Sequence, residues 1–190
     1  MYTIIPWSNQ LNLNSFYDRA KKKGFNNNSS QQQMIDCFSN EKQWQAWILY
    51  RDKEPIGSVV AHTLDIFGEE KAFRILARCC VLEGNRKSRG LMTYKKAIQE
   101  HQNFTDQFFL PTCISWAGSD STLYATSNNE ESGSQKLVNR IYFPILHDMG
   151  IVEDCGEVNY RNTNQTLWKF NVENFYNNLN KHKKWHLNRK

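Results

Sequence analysis

With 190 residues, the chain is long enough for one sizeable core and short for two full domains. Apolar residues make up 39% of it and aromatics 13%, enough for a packed globule, and no apolar run reaches the ~18 residues of a membrane span, which excludes a helical membrane protein. The net charge of +5 gathers at the end: LNKHKKWHLNRK holds five of the 24 Lys/Arg and no acid, so the rest balances 19 basic residues against 19 acidic. A neutral body argues against a dedicated nucleic-acid-binding domain, whose charge would lie across a folded face. Contact with nucleic acid or an acidic partner is left to the basic tail, residues 175–190, as a weak interaction.

The N-terminal MYTIIPW lacks the charged start and apolar core of a signal peptide, and is expected to begin the mature protein with a strand. Five cysteines, Cys37, Cys79, Cys80, Cys113 and Cys155, are odd in number and form no C-x-x-C. That spacing argues against a disulfide framework or a zinc site and for reduced, mostly buried thiols in a cytoplasmic protein. His182 and His186 stand four apart, a spacing that can ligate metal on a helix, but no third ligand accompanies them.

In chain order, Tyr2 to Trp7 reads as a short strand and Leu11 to Lys23 as a helix with Leu13, Phe16, Tyr17 and Ala20 inward. The polar KKKGFNNNSSQQQ, Lys21 to Gln33, reads as a mobile loop, and Met34 to Ser39 as a short helical piece. QAWILYRD, SVVAHTLDIF and AFRILARCCVLE predict three antiparallel strands, with a turn around Pro55 and Gly57 and a second at GEE. The third strand is long and apolar, hence central. Lys87 to His101 reads as a helix, Pro111 to Ser115 and Thr122 to Thr126 as strands, and SNNEESGSQ as a loop. Lys136 to Met149 predicts a helix bent at Pro144 and stopped by Gly150. Ile151 to Tyr160 and Thr166 to Val172 predict a closing hairpin across RNTNQ. The order gives an α+β fold, one mixed sheet with helices on both faces.

Three stretches resemble the GNAT N-acyltransferase family, with the element order matching over about residues 2 to 172. RDKEPIGSVVAH resembles the hairpin of its second and third strands. CCVLEGNRKSRGLM resembles V-x-P-x-x-R-x-x-G-x-G/A in two registers: Val81 and Arg86 fit one, and Lys87, Gly90 and Met92 fit the other, with Met92 replacing a small residue. NRIYFPILHDMGI resembles N-x-x-A-x-x-F-Y-x-x-x-G-F, with Asn139 and Gly150 in place and Leu146 where the family has Tyr.

The resemblance implies a GNAT-like, mostly antiparallel sheet of about six to seven strands in a domain spanning 1–174. It implies acetyl-CoA as co-substrate and direct acetyl transfer to a primary amine of a small molecule or protein. Backbone groups of Cys80, Val81 and Leu82 would pair with the pantetheine arm like an added strand. The turn and helix start at Arg86, Lys87, Ser88, Arg89, Gly90, Leu91 and Met92 would hold the pyrophosphate through helix N–H groups and cations, with Asn139 nearby. Without an anion, those cations would oppose the helix dipole. Tyr142, one turn before Leu146, is the candidate thiolate acid, although an aromatic there equally suits the core; Glu83 is the candidate base, or a solvated turn residue. His62 is a further candidate base, or a satisfied strand histidine. The alternative function is a catalytically silent GNAT-fold binding or structural module, with the basic tail as its contact point.

Overall fold

The structure, a computed structural model, describes residues 1–25, 30–66, 68–82, 104–129 and 142–178. Seven strands form one sheet: β1 (Tyr2–Pro6), β2 (Trp44–Arg51), β3 (Glu54–Thr63), β4 (Ala72–Val81), β5 (Thr122–Asn128), β6 (Val152–Tyr160) and β7 (Thr163–Phe170). Their order is β1-β2-β3-β4-β5-β7-β6, so β4 is central, as its apolar run predicts. β4 and β5 pair parallel, whereas β1–β2, β2–β3, β5–β7 and β6–β7 pair antiparallel. The helices are α1 (Asn14–Lys22), α2 (Gln31–Phe38), α3 (Leu110–Ala117), α4 (Phe143–Asp148) and α5, residues 172–178. This is the α+β sheet architecture read from the sequence.

The chain divides into two compact units. The first comprises Met1–Thr63 and Leu76–Cys113; the second, Leu64–Ile75 and Ile114–Lys190. In the first, α1 buries Leu13, Phe16, Tyr17 and Ala20 against Ile48, Cys80 and Leu82. Beside it, α2 packs Met34 and Phe38 on Ala46, Val60 and Ala77. Ala46 and Ile48 are two apart on β2, so both helices cover one sheet face. Phe109, just before α3, reaches the opposite face at Gly57 and Leu49. In the second unit, Leu64, Ala72, Tyr124 and Leu167 form a cluster flanked by Ile66, Val158 and Tyr160.

Several boundaries differ from the sequence reading. Lys21 and Lys22 end α1, and Gln31 to Gln33 start α2, because the Ser30 hydroxyl caps α2 by accepting from the Gln33 N–H at 3.0 Å. The turn expected at Pro55 and Gly57 lies instead at Asp52–Lys53. Asp52 takes the positive φ, +56°, and Pro55 and Gly57 stand inside β3. The strand expected at Pro111 to Ser115 is α3. A π-helical turn, Thr105–Phe109, precedes it, with the Leu110 N–H bonded to the Thr105 carbonyl. Pro111 has no N–H and its ring crowds the carbonyl four residues back, which the widened turn relieves. The closing hairpin turns at Arg161 and Asn162, both at positive φ, so β7 starts three residues early, at Thr163. The helix expected at Lys87 to His101, and the part of the Lys136–Met149 helix before Tyr142, lie outside the described residues. Gly150 does end α4: at φ +67° it donates to His147, while Ile151 donates to Leu146, each at 2.8 Å.

Gly57 is required by close approach, since a Cβ there would lie 2.9 Å from the Cys80 carbonyl oxygen and 3.0 Å from Phe109 Cζ. Gly57→Ala is expected to destabilise the protein by about 1–3 kcal/mol, measured as a lower urea midpoint at unchanged slope. Its neighbour is the control: the Ser58 hydroxyl is buried with no partner among the described residues, so Ser58→Ala should leave the midpoint unchanged or raise it.

Candidate functional site

The central strand is paired unequally along its length. The parallel ladder of β4 with β5 covers three positions, Ala72↔Thr122, Phe73↔Leu123 and Arg74↔Tyr124, whereas β4 itself runs on to Val81. Just beyond the last pair, Leu76 and Arg78 take φ values of +58° and +51°. Left-handed dihedrals at bulky residues cost on the order of 1–3 kcal/mol each and turn the peptide planes out of strand alternation. The strand then returns to its β3 neighbour, where the Leu82 N–H donates to the Ile56 carbonyl at 2.6 Å. Successive residues of a strand aim their backbone groups to opposite sides. With Leu82 facing β3, Val81 directs its N–H and C=O toward the other edge of β4.

The end of that strand is held by α1. Lys23 Nζ donates to the Leu82 carbonyl. Arg19, one turn earlier, donates to the Pro55 carbonyl and pairs with Glu54 at the start of β3. Gly24 at φ +84° and the Phe25 N–H on the Ala20 carbonyl, 2.9 Å, close the last turn of α1 over the strand. Sequence reading missed both cations, because KKK beside an Asn-rich run looks like solvated loop. The signal was the helical spacing of Arg19 and Lys23 on the border of the Phe16–Ala20 stripe.

Of the residues expected to hold cofactor, Cys80, Val81 and Leu82 are all buried at the end of β4. Both backbone groups of Leu82 are engaged by Ile56 and Lys23, so of the three it is Val81 that faces the open edge. Glu83, Arg86, Lys87, Ser88, Arg89, Gly90, Leu91, Met92 and Asn139 lie outside the described residues, as do His182 and His186. Tyr142 is 7% exposed and packs edge-on against Phe143, with ring centroids 5.3 Å apart; Leu146 is fully buried. His62 is fully buried, its Nδ1 2.7 Å from the Thr63 carbonyl and 3.4 Å from Glu41, with Phe38 against its ring. It is a satisfied strand histidine. Among the described residues no group of three or more His, Cys, Asp or Glu is arranged to hold a metal, and no helix is long and apolar enough to cross a membrane.

In the second unit β5 and β7 bring together an aromatic and polar row. Trp168 stacks on Phe143, centroids 5.0 Å apart and ring planes nearly parallel, and its indole N–H donates to Ser127 Oγ at 2.8 Å. Thr166, paired with Ser127 and so on the same face, donates to Asn129. Asn129 and Asn164 each donate an amide to one oxygen of Glu157, both at 2.9 Å. The row holds the ends of β5, β6 and β7 in register.

These features define a class. The chain has the GNAT N-acyltransferase fold, in a divergent form. No family model matches the chain, and no curated protein matches its sequence. An uncharacterised protein from Bacillus halodurans superposes with a TM-score of 0.55 at 10% identity, over 100% of this chain and 92% of its own. Aminoglycoside N-acetyltransferase AAC(6')-Ib11 does so at 0.51 and 10% identity, over 92% of this chain and 99% of its own. FeeM, an N-acyl amino acid synthase from uncultured soil microbes, gives 0.50 at 8% identity, over 93% and 94%. At identities this low, the superpositions show the shared fold alone.

Burial governs the titratable groups around β4. It pushes the Cys113 thiol up to about 12, against a smaller opposite effect of a hydrogen bond with the Leu76 backbone. It also pushes the Tyr17 phenol up to about 12, while the indole N–H of Trp7, close to the hydroxyl but outside hydrogen-bonding geometry, favours the phenolate slightly. Two outcomes follow. A thiol reagent at pH 8 should label exposed Cys155 in the native protein, although its thiol is also raised, and reach Cys113 only on unfolding. Tyr17 contributes stability that is complete below the unfolded phenol value near ~10 and is lost as pH rises toward 12, because the unfolded chain releases that proton first. Phenolate absorbance and unfolding should therefore rise together in that window, and Tyr17→Phe should flatten the loss.

Proposed function

We propose that the protein is an N-acyltransferase that takes its acetyl group from acetyl-CoA and delivers it to a primary amine of a small molecule or protein. The observation that carries this reading is the edge of β4 beyond Arg74, where the ladder with β5 stops among the described residues and Val81 directs one N–H and one C=O away from β3. A pantetheine arm carries amides at strand-like spacing and can pair there as an added strand. Acetyl-CoA supplies an activated thioester carbon. The chain's part is to hold that carbon, polarise its carbonyl and manage two protons.

On this reading, the Val81 N–H donates to the arm or to the thioester carbonyl, in a backbone environment fixed before binding. The turn and helix start that the sequence pattern predicts over Arg86 to Met92 would carry the phosphate charge on Arg86, Lys87 and Arg89 and on backbone N–H groups. As the amine nitrogen bonds to the carbonyl carbon and the carbon–sulfur bond breaks, the amine proton passes to a base and the leaving thiolate takes one from an acid. Glu83 and Tyr142 are the chain's candidates for those roles. Cys113 is unsuited to nucleophilic catalysis, because its thiol stays protonated and buried.

A second reading is favoured by one observation. Leu146, where the family pattern has Tyr, is fully buried, and Tyr142 is nearly so. A module that binds CoA without turnover fits those two side chains. Calorimetry with CoA and acetyl transfer to a panel of amines separate the readings: binding with transfer supports the enzyme, and binding alone supports the silent module.

Two backbone variants test the edge. Val81→Pro removes an N–H that faces away from β3, so the protein should fold while CoA affinity falls about tenfold, the worth of one hydrogen bond. Leu82→Pro removes the bond to Ile56 and should destabilise the fold by ~3 kcal/mol or more. CoA binding untouched in a folded Val81→Pro protein would reject the edge assignment. Arg86→Ala combined with Lys87→Ala should weaken CoA binding by about a hundredfold or more, as two charge-assisted bonds disappear.

A further inference from the structure

We propose that Lys23 is a positioning residue for CoA binding, acting through the end of β4. The inference rests on the acyl-CoA reading above and adds to it a residue of α1 that the sequence pattern does not mark.

The argument starts from what holds Leu82. Its side chain belongs to the cluster of Leu13, Phe16, Tyr17 and Ala20 on α1. Its N–H is bonded to Ile56 on β3, and its carbonyl to Lys23 Nζ. That carbonyl belongs to the residue that follows β4, which ends at Val81. A strand end so placed is free to fray unless a side chain takes its last acceptor. Lys23 does so from a fixed position. Its own N–H bonds to the Arg19 and Ala20 carbonyls at 3.0 and 3.1 Å, at the C-terminal end of α1, where a cation is also favoured by the helix dipole. Arg19 performs the same service on the adjoining β3 at Pro55. The two cations thus clamp both strands at one level, one residue from Val81. The Val81 carbonyl shares a rigid peptide plane with the Leu82 N–H, so the bond from that N–H to Ile56 sets its direction, and Lys23, holding the carbonyl on the other side of the Leu82 Cα, keeps Leu82 from turning out of that bond.

The clamp makes a chemical demand as well. It requires a long cationic donor at position 23, which Arg satisfies and Met, of similar length and apolar stem, does not. A purely structural lysine would lower thermal stability when replaced and leave CoA affinity, measured well below the melting temperature, unchanged.

The experiment measures CoA binding by calorimetry for the wild type, Lys23→Met and Lys23→Arg, with amide hydrogen exchange at Val81 and Leu82. The expected result is CoA binding about tenfold weaker in Lys23→Met, a size typical of indirect coupling, together with faster exchange at Leu82 and recovery of both in Lys23→Arg. Equal CoA affinity in wild type and a folded Lys23→Met protein overturns the inference and leaves the acyl-CoA reading standing. Absence of CoA binding in the wild type overturns the reading itself, and the inference with it. Should Lys23→Met fail to fold, Lys23→Gln at the same position gives the same comparison with a neutral donor, and unchanged affinity there is equally fatal.

Discussion

Two left-handed residues in the central strand govern the rest of this structure. Leu76 and Arg78 interrupt β4 just past its short ladder with β5. Neither is glycine, so each conformation is held against its own local preference. What holds them is packing on the residues between and around them. Ala77 is fully buried under α2, Cys80 and Leu82 under α1, and Leu76 meets the buried Cys113 thiol through its backbone. The helices therefore do more than cover a sheet. They fix a backbone distortion at the point where β4 leaves its ladder with β5, while its other edge stays beside β3.

The same packing explains how polar groups divide between stability and function. On the β3 side, Leu82 and Ile56 satisfy each other, and the carbonyls of Leu82 and Pro55 are taken by cations from α1. On the far side, the alternation of the strand presents Val81. A backbone N–H in a buried strand needs a partner, and on the proposed reading an extended amide-bearing ligand supplies it. In the second unit, polar atoms serve register instead, as in the row from Trp168 through Ser127 and Thr166 to the Glu157 carboxylate.

Errors in reading the sequence have local physical causes. Pro111 to Ser115 read as a strand; a π-helical turn absorbed the proline, and Phe109, Leu110 and Cys113 became a buried stripe along the turn and helix. Pro55 and Gly57 suggested a turn, yet Asp52 supplied the positive φ and Gly57 was needed for clearance from the Cys80 carbonyl and Phe109. Both glycine and proline report a backbone requirement without saying which one. KKKGF suggested loop, because a lysine that caps a distant carbonyl has the same spelling as one in water.

The sequence by itself determined the element order, the central place of AFRILARCCV and the resemblance that named the fold, because those depend on hydrophobic period and on punctuation along the chain. It also marked Val81 as the point of interest. Only the tertiary structure decided which neighbour of Val81 is occupied, that Tyr142 and Leu146 are buried, and that Lys23 and Arg19 grip the strand ends. The grips of Arg19 and Lys23 span 36 and 59 positions, and no local pattern records contacts made at such distances along the chain.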